Sequence, residues 1–121
     1  QPYTTADLDW TNKNSRSTRE MTDKTFRPAI TGKVENMEQY ETIYLGFPIW
    51  WYVAPTIINT FLESYDLTGK TVVPFATSGG SGMGRTNTEL EQSCKGARLK
   101  EGKRFNINVK EAELKTWADQ F

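Results

Sequence analysis

Apolar positions fall into two regimes that meet near residue 40. Residues 1–40 are rich in Thr, Asn, Ser, Lys and Asp, with isolated anchors at Tyr3, Leu8, Trp10, Met21, Phe26 and Ile30. The stretch predicts irregular surface chain with one or two short helices. The better of these follows Ser15 or Ser17 as N-cap and carries Arg19, Glu20 and Met21, because a hydroxyl there satisfies an orphaned first-turn N–H. From Thr42 the texture changes. Ile43, Tyr44, Leu45 and Phe47, closed by Pro48, form the short apolar run of a strand buried on both faces. Pro55 stands where the first turn of a helix tolerates proline, and Ile57, Ile58, Phe61, Leu62 and Tyr65 follow at helical spacing until Asp66–Gly69 breaks the pattern.

Thr71–Thr77 predicts a second buried strand, although Pro74 removes a ladder donor and such a proline is normally confined to an edge or a bulge. The loop Ser78–Gly84 precedes a helix from about Thr86 to Cys94, with Leu90 and Cys94 on one face and Gly96 placed to end it. Arg104–Ile107 predicts a third, shorter strand. Asn108 with Glu111 has the spacing of a capping box, and Leu114, Trp117, Ala118 and Phe121 share one helical face behind it. Strand and helix therefore alternate three times, the pattern of an α/β fold with a parallel sheet.

Composition narrows the functional classes. The chain has 121 residues, 36% of them apolar, enough for one core and one domain. Its 15 basic and 15 acidic side chains balance without forming blocks, so neither nucleic acid nor an anionic membrane is an expected partner. No apolar stretch approaches the roughly 20 residues of a spanning helix, and the first 30 residues are too polar for an intact signal peptide. Cys94 is the lone cysteine, which excludes an internal disulfide and makes the cytoplasm the default location. Histidine is absent, which excludes a Cys/His zinc site and a Ser-His-Asp nucleophile, and no metal site is expected. The chain opens at Gln1 rather than Met, which implies that a segment upstream has been removed.

Ligands of open α/β sheets bind beyond the carboxyl ends of the strands. Two loops lie there. Pro48-Ile49-Trp50-Trp51-Tyr52 places three consecutive aromatics between strand and helix. They cannot all enter the core, so at least one is left to stack on something flat, or else the group closes the end of the sheet as a lid. Thr77-Ser78-Gly79-Gly80-Ser81-Gly82-Met83-Gly84 lets backbone N–H groups approach a ligand closely, or is simply a pliant turn. Gly79–Thr86 falls short of a phosphate-binding P-loop because Arg85 replaces the lysine, and a hydrolase elbow centred on Ser81 fails because Met83 stands where glycine is required.

At these residues the sequence resembles the flavodoxin family, in particular its short-chain bacterial members. The matching positions are Tyr44 to Trp51 (YLGFPIWW), Ala54-Pro55, Phe61-Leu62-Glu63, Gly69-Lys70, and Pro74-Phe75 with Thr77 to Gly82, and the likeness runs from about Arg27 to the end. The resemblance implies a flavodoxin-like doubly wound parallel sheet that binds FMN non-covalently. Pro48, Ile49, Trp50, Trp51 and Tyr52 would flank the isoalloxazine, with Trp50 or Trp51 stacked on it. Thr77, Ser78, Gly79, Gly80, Ser81 and Gly82 would edge the ring and hydrogen-bond its polar rim. The implied role is an electron carrier or small flavin oxidoreductase, serving a redox partner protein or a small-molecule acceptor.

The family's opening strand, its Thr/Ser-rich phosphate loop and its second strand have no counterpart here, so the chain is expected to supply about three of the five strands of one N-terminally truncated domain spanning residues 1–121. Two expectations follow: FMN binding is weakened without the phosphate loop, and the strand Thr42–Phe47 carries an unpaired edge. That edge motivates an alternative, a flavin-free interaction module that dimerises or binds a partner through Thr42–Phe47.

Overall fold

The structure, a computed structural model, describes residues 2–78 and 82–121. Two seven-residue strands, β1 (Thr42–Pro48) and β2 (Thr71–Thr77), lie parallel in unbroken register from Thr42 opposite Thr71 to Pro48 opposite Thr77. The other side of β2 pairs, also in parallel, with two short pieces, β3 (Arg98–Leu99) and β4 (Lys103–Phe105). β2 is therefore central. The helices are α1 (Arg16–Thr22), α2 (Thr56–Glu63), α3 (Thr86–Glu91) and α4 (Glu111–Ala118), with one 3-10 turn at Met37–Gln39. Ser15 caps α1, its side chain accepting from the Thr18 N–H.

Strand periodicity splits the core in two. Val72 and Ala76 of β2 join Leu45 and Phe47 of β1 against Leu62, Leu67, Leu90 and Cys94 beneath α2 and α3. Val73 and Phe75 face the other way and meet Phe105, Leu114, Trp117 and Ala118 of the α4 layer. The spacing read from the sequence for α4 is realised here: the Trp117 ring is edge-packed by Phe105, Phe121, Phe75 and Tyr44 at centroid distances of 5.2, 5.5, 5.9 and 6.2 Å.

Pro74 sits buried in the central strand rather than at an edge, and of the two placements expected for it the bulge is the one realised, in the neighbouring strand. Main-chain groups of successive strand residues face opposite neighbours. Thr71 donates to the Glu41 carbonyl on the β1 side at 2.8 Å, and the Val72 carbonyl accepts from Lys100 on the other side at 2.9 Å. The Pro74 nitrogen thus faces the third strand, and there the third strand is interrupted. Val72 pairs with Leu99 and Phe75 with Lys103, so three steps along β2 are matched by four along its partner. The missing donor is accommodated by a one-residue bulge. Gly102 makes the fit possible, because a Cβ there would stand 2.6 Å from the Pro74 carbonyl oxygen and 2.9 Å from its ring.

Three further boundaries differ from the sequence reading. The third strand begins at Arg98 and ends at Phe105, leaving Ile107 outside the ladder and 85% exposed. α3 stops at Glu91, short of Cys94, because the following turn is held by side chains: Ser93 is buried, donates to Glu63 at 2.6 Å and accepts from Asn59 at 2.9 Å. The Asn108 capping box does not form. Asn106 instead takes the Asn108 N–H on its side chain at 3.1 Å, the chain turns, and α4 starts after Lys110 without a side-chain cap.

Trp117→Ala should cost about 3–5 kcal/mol in urea unfolding, since it empties the centre of a ring cluster. A second prediction concerns acid. The Arg27 hydrogen bond, seconded by that of Ser93, holds the Glu63 carboxyl below its usual 4.5. A lowered folded pKa adds stability above the unfolded value that is lost as pH falls through the folded one. Glu63→Gln should therefore flatten the stability profile below about pH 4.5 and leave its shape near neutrality unchanged.

Candidate functional site

Both loops singled out in the sequence leave the sheet at the carboxyl end of adjacent strands. Pro48 pairs with Thr77, and Ile49 extends the ladder by donating to the Thr77 carbonyl at 3.0 Å. Pro48, Thr77 and Gly82 are exposed at this rim, while Ile49, Trp50 and Ser78 are half-buried. Gly79, Gly80 and Ser81 lie outside the described residues. The two segments are thus neighbours, as the alternation of parallel strands requires.

The aromatic loop closes on itself. Trp50 donates to the Val53 carbonyl at 2.8 Å and Val53 returns the bond to Trp50 at 3.1 Å, forming an antiparallel bridge across a two-residue turn. Its central residues, Trp51 and Tyr52, have φ of +48° and +70°. Positive φ at both positions is the signature of a type I′ turn, which ordinarily selects Asn and Gly. Left-handed backbone at a non-glycine residue costs about 1–3 kcal/mol each. The conformation turns both side chains away from the core, leaving Trp51 42% and Tyr52 65% exposed. Gly84, itself at φ +53°, lies against this turn: a Cβ there would approach the Tyr52 carbonyl oxygen to 2.5 Å. The far end of the glycine-rich loop is thereby seated on the aromatic turn.

Trp50 has a different neighbour, one not expected from sequence. The Tyr3 ring meets it edge-on at 5.3 Å and 85°. Tyr3 is fixed by a polar cluster: its hydroxyl donates to Glu20, Arg16 binds Glu20 at 2.9 Å, and the Arg16 guanidinium covers the Tyr3 ring at 3.8 Å. Burial, reinforced by the Glu20 carboxylate, pushes the Tyr3 phenol well above its ordinary pKa, so it stays a neutral donor. The irregular lead-in therefore packs against the aromatic loop. Arg104 of β4 was also missed. Its Nε donates to Ser78 Oγ at 3.1 Å and its guanidinium NH2 to the Ser78 carbonyl at 2.9 Å.

Exposed rings held outward at an energetic cost, beside the strand end at Thr77 and Ser78, suit a flat heterocycle with a polar rim. Among the described residues, no helix is long and apolar enough to cross a membrane.

A parallel sheet with helices on both faces and strand-end loops of this kind defines a flavodoxin-like α/β protein. The flavodoxin family model matches residues 1–121, and the chain belongs to the flavodoxin family. The structure is similar to those of two provisionally assigned flavoproteins. One, from Bacteroides eggerthii, is 51% identical with a TM-score of 0.88, the match covering 99% of this chain and 75% of that one. The other, from Bacteroides uniformis, is 47% identical with a TM-score of 0.90, covering 98% and 76%. A flavoprotein in complex with FMN from Lactobacillus acidophilus is 20% identical with a TM-score of 0.59, covering 84% and 65%, and shares the fold. No curated protein matches the chain.

Replacing Tyr52 by Gly should raise stability in urea unfolding by about 1 kcal/mol, because a φ of +70° costs glycine nothing and the ring, 65% exposed, buries little area.

Proposed function

We propose that this chain is a flavin-binding module that holds FMN between the Trp51-Tyr52 turn and the Ser78–Gly82 loop and serves as an electron carrier or small flavin oxidoreductase. The observation that carries the reading is the turn itself. A protein does not gain stability by placing Trp and Tyr at two positive-φ positions, so the cost points to a task for the exposed rings. When bound, the flavin supplies reversible electron transfer, while the protein supplies orientation and electrostatics. Trp51 and Tyr52 would cover a face of the ring and exclude water from it. Ser78 and the loop N–H groups would hold its polar rim, and Trp50, backed by Tyr3, would set the depth of the site. The exposed rim at Pro48, Thr77 and Gly82 would remain open to a redox partner protein or a small-molecule acceptor. The FMN-bound Lactobacillus acidophilus fold and the two Bacteroides relatives support a flavin as the ligand class.

Titrating the purified chain with FMN, and separately with riboflavin, tests this directly. Saturable quenching of flavin fluorescence is expected, weakened by about ten-fold or more when Trp51-Tyr52 becomes Asn-Gly, since a stacked aromatic contributes on the order of 1–3 kcal/mol. Absence of saturable quenching with either flavin would overturn the proposal.

A second reading has its own observation. β2 occupies one side of β1, and among the described residues no strand pairs with the other. By the alternation described above, Thr42, Tyr44 and Gly46 direct their main-chain groups to that free edge, which suits addition of a strand from a second copy. Light scattering should then give a dimer that Thr42→Pro converts to monomer, because the substituted N–H faces outward and leaves the β1–β2 ladder intact. A wild-type monomer would remove this reading.

A further inference from the structure

The aromatic loop carries its indoles at the rim of the sheet, where Trp51 is 42% exposed and a one-electron oxidant in solution can reach it. Trp50, next in the chain, is half-buried, and its inner neighbour is a phenol. Tyr3 meets it edge-on with ring centroids 5.3 Å apart, so the two rings are in contact and an electron can pass between them without a further carrier. A tyrosine gives up an electron readily only when its proton leaves in the same step, because a phenol radical cation is a very strong acid and is costly to form with the proton retained. What the hydroxyl donates to therefore decides whether the ring can act.

The Tyr3 hydroxyl donates to Glu20 Oε1 at 2.5 Å. Arg16 binds the other carboxylate oxygen, Oε2, at 2.9 Å, and its guanidinium lies 3.8 Å over the Tyr3 ring. Glu20 is 5% exposed, so a proton handed to it is held beside the phenol rather than released to bulk water. The cluster is an electron donor with a base already hydrogen-bonded to it. Among the described residues no other tyrosine hydroxyl donates to a carboxylate: Tyr44 donates to the Ala118 carbonyl at 2.7 Å, Tyr65 accepts from the Val34 N–H at 2.6 Å, and Tyr40 and Tyr52 are exposed. The thiol of Cys94 does not compete, since burial, reinforced by Glu91, pushes its pKa up and keeps it protonated.

We propose that Trp50, Tyr3 and Glu20 form a relay that draws an oxidising equivalent inward from the aromatic rim. A diffusible one-electron oxidant, such as the azidyl or carbonate radical, takes an electron from the Trp50 indole and leaves its radical cation. One electron then passes from Tyr3 to Trp50, the Tyr3 O–H bond breaks, and its proton goes to Glu20 Oε1. The products are a neutral indole, a neutral phenoxyl radical and a protonated carboxyl, so the positive charge on the indole and the negative charge on Glu20 cancel. An indole that has first lost its N–H proton to water recovers one from water, and the exchange between Tyr3 and Glu20 is the same. The relay uses residues of the lead-in and the aromatic loop alone and does not rest on a bound flavin.

Pulse radiolysis of the flavin-free chain tests this, with azidyl as the oxidant. The parent is Trp10→Phe, because Trp10, 73% exposed, would otherwise take much of the oxidant. In the parent, decay of the indolyl absorption should be matched by growth of phenoxyl absorption at a rate independent of protein concentration. The step should slow in D2O and should not respond to added buffer base, since the proton acceptor is internal. Tyr3→Phe, which keeps a ring against Trp50 and Arg16, should remove the growth. Glu20→Gln, which keeps an acceptor but no base, should slow it by about 100-fold or more, the common effect of losing a positioned base. Tyr44→Phe should match the parent although Tyr44 lies 6.2 Å from Trp117, because its hydroxyl faces a carbonyl that cannot take the proton. Phenoxyl growth that is absent from the parent, or that survives in Tyr3→Phe, would overturn the relay. Equal rates in Glu20→Gln and the parent, or acceleration by buffer, would overturn the proton's route through Glu20. Should Glu20→Gln fail to fold by circular dichroism, the Tyr3→Phe comparison and the buffer and D2O responses of the parent decide the question.

Discussion

The seven-residue parallel pairing of β1 with β2 is the interaction on which the rest depends. It is continuous, it ends in the same rank on both strands, and it therefore delivers the Trp50-Trp51-Tyr52 loop and the Ser78 loop to one rim. A slip by one residue would send Leu45 and Phe47 out of the larger core, which penalises every alternative register. The core thus fixes the geometry of the rim, and Ile49 packs against it from there. The Ile49 bond to the Thr77 carbonyl carries the same constraint one residue beyond the last strand pair and into the loop.

The third strand shows the same coupling of sheet and site through a local fault. A proline in a central strand leaves its neighbour without a donor, and the neighbour bulges. Gly102 permits the close approach, and the chain resumes its ladder with the opposite facing. Phe105 is thereby committed to the layer beneath α4 and Arg104 to the loop side. A residue that weakens strand propensity has become the reason two side chains are correctly directed.

Much of this was legible in the sequence, for identifiable reasons. β1, β2 and α2 were marked by dense apolar runs bounded by Pro48, Pro55 and Asp66–Gly69, and their boundaries agree closely with the structure. The adjacency of the two loops followed from parallel alternation alone. The third strand was misjudged because its five ladder residues are split by Lys100-Glu101-Gly102, and Lys103 and Arg104 disguise a strand that is buried at Phe105. The Asn108 cap was overruled by a competing turn in which the Asn106 side chain accepts from the Asn108 N–H. Tyr3 and Arg104 carried no signal, because each reaches the site by a contact between segments distant in sequence, Tyr3 to Trp50 and Arg104 to Ser78. The left-handed turn at Trp51-Tyr52 was hidden too, since neither residue type favours it.

The division of the core by the sheet has an optical corollary. Trp117 belongs to the smaller layer with α4, whereas Trp50 and Trp51 ride on a loop tied to β1 and to the α2 side. The layers share β2 but no helix, so fraying of α4 would relax one indole while the pair at the rim keeps its surroundings. Emission from the separate tryptophans would then report different transitions, and a single melting curve would be a blend of two.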